Sequence, residues 1–248
     1  MKKIRFIPEN DYVFHNITPP LPAKNFIPEW YRSGEYYLSK KTGEITSKND
    51  KNAEGGMKSC APFLDSMISG YFILTWADVE IIKNDGENFE WRYVQKNPYS
   101  EKYEEIEMPI KMINERMGKI GHTIPRPIGY SKNHLVFNGQ WGIRTPRKWS
   151  MWVCHPQNRF DLPFYTTSGF MDSDQFWNNG NIPFFIQKDF LGIIPKHTPI
   201  AQLIPIKRES WVSYIYKRGI IRADEMGFKA RERIGYYKSK IWYKKEYN

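Results

Sequence analysis

The chain has 248 residues, 40% of them hydrophobic, and 37 Lys and Arg against 27 Asp and Glu give a net charge of +10. With a mean hydropathy of −0.65 and no apolar run near the ~18 residues that span a bilayer, the sequence excludes a membrane-spanning helix. The opening MKKIRFIPEN lacks the apolar stretch of a secretory leader, so a cytoplasmic protein is expected. The basic balance points to anionic partners. A bias toward Lys, Asn, Ile and Tyr, as in AT-rich genomes, accounts for part of it.

Residues 1–34 contain Pro8, Pro19, Pro20, Pro22 and Pro28. Proline removes a donor and fixes φ, which predicts an extended arm held by Phe6, Phe14, Phe26, Trp30 and Tyr31. The polar, glycine-containing 39–58 reads as a hairpin turn or mobile loop. From Cys60 onward the pattern reads as β. Strands are predicted at Gly70–Trp76 and Val79–Ile82, with Asn84-Asp85-Gly86 turning into Phe89–Val94. Met108, Met112, Ile113 and Met117 are spaced for a short helix, although Pro109 limits its start. Short strands follow at Val136–Asn138, Trp141–Thr145, Ser150–His155, Phe164–Thr167, Ile182–Ile186 and Ile200–Pro205, separated by turn residues. Residues 213–248 carry ten Lys and Arg against four Asp and Glu. Met226, Ala230, Ile234, Tyr237 and Ile241 recur along one face there, predicting a basic amphipathic helix that Gly227 and Gly235 weaken. The partition is an arm and loop over 1–58, a β core over 59–212 with an insertion near 95–135, and the helix over 213–248.

Few residues assemble into recognisable chemistry. Cys60 and Cys154 are far apart and read as reduced thiols. The histidines, His15, His122, His134, His155 and His197, are too scattered for a ligand set. Asp172 and Asp174, two apart, share a face if the segment is a strand, where they hold a metal or cap backbone amides; capping is the commoner outcome. The Arg144–Lys148 stretch (RTPRK) is a turn suited to phosphate or to solvent, and GKIG at 118–121 is another turn. Neither a phosphate loop nor a nucleophile elbow is present.

Three segments in order carry a resemblance. They are DSMISGYFILTWADVEI (65–81); IRTPRKWSMWVCHPQNRF with GFMDSDQFWNNGNIPFF (143–160 and 169–185); and TPIAQLIP (198–205). The series resembles the motif order of trimeric dUTPases and covers about 40% of the chain. It implies a mostly β, β-clip or distorted-barrel core and a homotrimer with sites between subunits. On this resemblance Asp172 stands where the family activates its water. Gln202 stands on the glutamine of the IAQ motif, and Gly70 with Tyr71 on the AG-Y strand. Asn158 and Arg159 lie near the phosphate-gripping motif, and Phe176 or Trp177 where the base is stacked. The departures are extensive. Phe72 replaces a carboxylate that supports magnesium, His155-Pro156-Gln157-Asn158 replace the Arg and Ser that grip phosphate, and the basic helix stands in place of a glycine-rich closing arm. Separately, PPLPAKNFIPEWY (19–31) and CAPFLDSMISGY (60–71) are similar to a family found in phages and some bacteria, which gives a lineage and no activity.

The expectation is therefore a non-catalytic dUTPase-like scaffold or binding protein, phage-encoded and related to assembly, without a cofactor. It acts in the host cytoplasm, with other virion or host proteins as partners or within the virion. One alternative is a divergent magnesium-dependent nucleotide diphosphohydrolase or nucleotide-binding protein. It uses Asp172 as the catalytic residue, Tyr71, Asn158, Arg159, Phe176, Trp177 and Gln202 for the nucleotide, and Asp174 toward the metal. Another is a nucleic-acid-associated protein that acts through Lys217, Arg218, Arg222, Arg231, Arg233, Lys238 and Lys240.

Overall fold

The computed structural model describes residues 2–86, 89–115 and 124–248. The chain is mostly β, and the strands lie in several antiparallel sheets. Among the described residues, no helix is long and apolar enough to cross a membrane. First come β1 (Arg5–Pro8), α1 (Asp11–Asn16) and β2 (Leu21–Pro22), then α2 (Glu29–Arg32), β3 (Tyr37–Ser39), β4 (Ala53–Gly55) and α3 (Ala61–Ile68). The strands β5 (Tyr71–Leu74), β6 (Asp78–Asn84), β7 (Phe89–Lys96), β8 (Tyr103–Glu105) and β9 (Ile113–Glu115) follow. Next are β10 (Leu135–Asn138), β11 (Trp141–Arg144), β12 (Trp149–Cys154), β13 (Phe164–Thr166) and β14 (Gly169–Met171). The last elements are β15 (Asn181–Ile186), β16 (Gly192–Ile194), β17 (Pro199–Lys207), α4 (Ile220–Glu232) and α5 (Tyr236–Lys240).

By its contacts the chain falls into two units, each built from two stretches: Met1–Pro22 with Gly70–Arg208, and Ala23–Ser69 with Glu209–Asn248. The composition suggested a linear succession of arm, core and helix. The contacts instead join the segment after Arg208 to residues 23–69.

The first unit holds a five-stranded sheet in the order β14-β12-β17-β5-β2 and four-stranded sheets β13-β15-β10-β9 and β16-β6-β7-β8, while β1 pairs with β11. Burial follows the side-chain alternation. Val79 and Ile81 point inward from β6, whereas β15 and β17 are buried on both faces and read as continuous apolar runs. Phe137, Phe164, Phe184, Leu135 and Ile186 fill one core, and Ile143, Met151 and Leu203 a second. The predicted turn after β6 forms as expected. Asn84 accepts the Gly86 N–H on its own side chain at 3.1 Å, and β7 pairs back from Phe89.

Three expectations from sequence need correction. The arm is not wholly extended. Asn10 caps α1 by accepting the Val13 N–H at 3.0 Å, and the proline-free stretch between Pro8 and Pro19 leaves room for that helix. The segment after Cys60 begins with a helix and not a strand, because Pro62 in the first turn of α3 suits a helix entrance. The helix expected around Met108–Met117 is absent from its described part. The hydroxyl of Tyr93 accepts the N–H groups of both Met112 and Ile113 at 2.9 Å, and Ile113–Glu115 pairs with β10 instead. Met117, His122 and the GKIG turn lie outside the described residues.

In the second unit, β3 and β4 pair across the polar 40–52 segment, so this region is a hairpin. Tyr31 stacks on Phe63 of α3 at 6.1 Å, and Asp65 accepts the indole N–H of Trp242 at 2.9 Å and an ion pair from Lys245. The predicted tail helix is present but broken. Gly235 has φ +72°, a left-handed conformation open to glycine, and it divides α4 from α5, so the Met226–Ile241 stripe is not continuous.

Candidate functional site

The residues around Asp172 are positioned by the pairing of β12 with β14 and β17. Met151 faces Met171, which sets Ser150 beside Asp172, and Trp149 faces Lys207, which brings Arg208 to the same end. The hydroxyl of Ser150 donates to Asp172 Oδ1 at 2.6 Å. Arg208 Nη1 lies 2.9 Å from Asp172 Oδ1 and donates to Asp174 Oδ1 at 2.9 Å, while its Nη2 reaches Asp174 Oδ2. The Lys148 N–H donates to Asp174 Oδ2 at 2.8 Å. The Asp174 side chain is 2% exposed and that of Asp172 is 64% exposed, so the guanidinium closes an inner and an outer carboxylate together. Ser150 and Arg208 hydrogen bonds hold the Asp172 carboxyl below the usual carboxylate range, and Arg208 does the same for Asp174. A carboxylate so stabilised is a weak base. Asp174 thus caps a backbone amide, whereas Asp172 is bound by side chains.

Gln202 and the 154–161 loop form a second, separate set. Gln202 is fully buried, and its Oε1 accepts the Gln157 N–H at 2.8 Å. The Gln157 amide in turn donates to the His155 carbonyl at 2.8 Å. Asn158 turns the chain at φ +58°, and Arg159 binds Asp161 with two hydrogen bonds of 2.8 and 2.7 Å. Burial pushes the Cys154 thiol up to about 11 and the His155 imidazole below its ordinary value. Cys154, which faces Gln202, stands four residues along β12 from Ser150, a separation of about 13 Å. Asp172 and Gln202 are therefore not brought together within one chain.

The remaining expected residues are dispersed. Tyr71 lies on β5 against the edge of Phe6, at 5.3 Å between ring centres. Phe72 is buried in the sheet, opposite Gln202. Phe176 and Trp177 are 59% and 46% exposed, and Trp177 lies under the guanidinium of Arg144. In the tail, Lys217 precedes α4, Arg222 and Arg231 lie on it, Arg233 follows it, and Lys238 and Lys240 lie on α5. Lys238 is 5.4 Å from the Tyr36 ring; the side chain of Arg218 lies outside the described residues. Sequence reasoning missed Arg208 and Ser150, whose role depends on strand register and leaves no local motif.

Searches against family models, curated proteins and solved structures find no match to the chain.

Proposed function

We propose that this is a non-catalytic binding and assembly protein built on a dUTPase-like β-clip, phage-encoded, trimeric, and acting in the host cytoplasm or within the virion. The observation that carries this reading is Arg208, which binds both Asp172 and Asp174 and so occupies the carboxylates that a hydrolase of this type needs free for water and metal. The neighbouring groups follow the same pattern. Arg159 is spent on Asp161 and Gln202 on Gln157, leaving neither directed at a phosphate. The clip reading is supported by strand order. The three resemblance segments supply β5, β17, β12 and β14, which are neighbours in one sheet. Assembly is supported by Trp211–Tyr216, where Trp211, Val212 and Ile215 are 85%, 91% and 91% exposed and form no helix or strand. An apolar run left open in one chain suits burial against another.

The test combines mass and ligand response. Light scattering on the purified protein is expected to give three times the 29.5 kDa chain. Nucleotides with magnesium are expected to leave the melting temperature unchanged. A true ligand at about 100 times its Kd adds ~2.7 kcal/mol, a rise of roughly 5–11 °C for a chain of this size. A rise of that order with any nucleotide, lost in Asp172→Ala, overturns the non-catalytic reading. A monomer at micromolar concentration overturns the trimer.

A further inference from the structure

The start of the chain and the β11–β12 turn together line a cavity beside the Asp172 region. β1 and β11 lie side by side with Arg5 directly opposite Arg144. Like charges facing each other across an antiparallel pair are destabilising, and an anion between them reverses the sign. Lys2, Lys3, Arg5, Arg144 and Arg147 line a cavity of about 570 Å³, within the ~300–1,000 Å³ range of ligand pockets. None of the five pairs with a carboxylate among the described residues. Among the described lining residues the acidic one is Asp174, and Arg208 already neutralises it.

Two of these cations sit over aromatic rings. The Arg144 guanidinium sits 3.9 Å from the centre of the Trp177 ring, and Lys2 Nζ sits 4.0 Å from that of Trp149. Trp177 nevertheless stays 46% exposed, and Phe176 beside it 59%. Cations over aromatic faces beside open rings offer phosphate contacts and base stacking at one place.

We propose that this cleft binds single-stranded nucleic acid. Five unpaired cations exceed what one phosphate takes up and suit a chain that carries several. Stacking on Phe176 and Trp177 requires unpaired bases, which a single strand supplies and a duplex withholds. The guanidinium groups of Arg5, Arg144 and Arg147 are the natural bidentate partners for phosphodiester oxygens. The site lies in the first unit and does not involve the basic residues of α4 and α5.

The experiment is fluorescence anisotropy of the full chain with a labelled oligothymidylate of about 12 nucleotides, titrated across salt. With five phosphate contacts the slope of log K against log salt is expected near −3.5, a loss of ~100-fold between about 50 and 200 mM salt. Arg144→Gln with Arg147→Gln is expected to weaken binding and reduce the slope by about 1.4. Because Arg144 covers Trp177, the exposed pair Lys3→Gln with Arg5→Gln provides a second variant, expected to act alike without lowering the melting temperature, since it relieves the Arg5–Arg144 opposition. Trp177→Ala is expected to lose ~10-fold, the value of one stacked base. The proposal is overturned by no binding at low salt, or by binding that survives both cleft variants and is lost in Arg231→Gln with Arg233→Gln and Lys238→Gln. Equal affinity for a duplex of the same length, or full competition by inorganic polyphosphate with no effect of Trp177→Ala, overturns the single-strand assignment.

Discussion

Replacing Gln202 by leucine separates a structural glutamine from a ligand-facing one. Gln202 is fully buried on the central strand β17, and its Oε1 accepts the Gln157 N–H at 2.8 Å. Leucine is of comparable size and has no acceptor, so that N–H loses its partner. Removing one partner of a buried hydrogen bond costs about 1–3 kcal/mol, more than the net worth of the bond itself. At roughly 2–4 °C per kcal/mol for a chain of this length, the melting temperature is expected to fall by about 2–12 °C. Urea unfolding monitored by tryptophan fluorescence measures the same loss as a lower midpoint at constant slope. Gln202→Glu is expected to cost more, because a buried carboxylate then faces a loop held by hydrogen bonds to a neutral amide. If Gln202→Leu melts like the parent while changing the response to any nucleotide, the glutamine serves a ligand and the reasoning from its contacts is refuted.

Gly70 has φ +71°, and a Cβ there would fall inside the shell of the Leu203 carbonyl oxygen; at Gly180, φ +67°, a Cβ meets nothing within 4 Å. In urea melts Gly180→Ala is expected to lose about 1–2 kcal/mol from backbone conformation, and Gly70→Ala a further ~1–3 from overpacking; equal losses would contradict the close approach of β5 to β17. Ser150 together with Arg208 holds Asp172, and Arg208 holds Asp174, below the usual carboxylate range, so the Arg208 contribution is complete at neutral pH and is lost as pH falls through their lowered values. Arg208→Met should therefore be less stable than the parent at pH ~7 and approach it in strong acid, and a stability gap that does not change with pH argues against the pairing. Of the two thiols, Cys60 is exposed, while Cys154 is buried with its thiol pushed up to about 11. Iodoacetamide is expected to label Cys60 at once and Cys154 only on unfolding, and equally fast labelling of both counts against the buried position.

The strands β5, β6, β7, β10, β11, β12, β13, β15 and β17 were legible because their signal is local. Alternation in Asp78–Asn84, the apolar runs of β10, β15 and β17, and the Asn84-Asp85-Gly86 turn are all contained in a few residues. The short helices before β5 were not. α1, α2 and α3 have six, four and eight residues, too short for a 3.6-residue period to accumulate. Pro28 also misled, since it stands at a helix entrance, where proline is tolerated, and not inside an extended arm. Around Met112 the sequence carried a helical spacing that the buried Tyr93 hydroxyl overrides by taking two backbone amides.

At the candidate site the sequence displayed the acids and concealed what binds them. Asp172 and Asp174 were visible as a pair, but Arg208 lies 34 residues beyond Asp174 and reaches it only because Trp149 pairs with Lys207 across β12 and β17. Spacing along a chain identifies which groups can do chemistry, and strand register decides which of them are free to do it. The same register has a second consequence. By taking Asp174, Arg208 neutralises the acidic residue among the described lining of the cleft, whose cations pair with no carboxylate among the described residues. An unpaired guanidinium facing another across β1 and β11 is unfavourable until an anion arrives. On the proposed non-catalytic reading, the contact that occupies the carboxylates also leaves the neighbouring cleft its charge, so that reading and the proposed nucleic-acid site are compatible in one molecule.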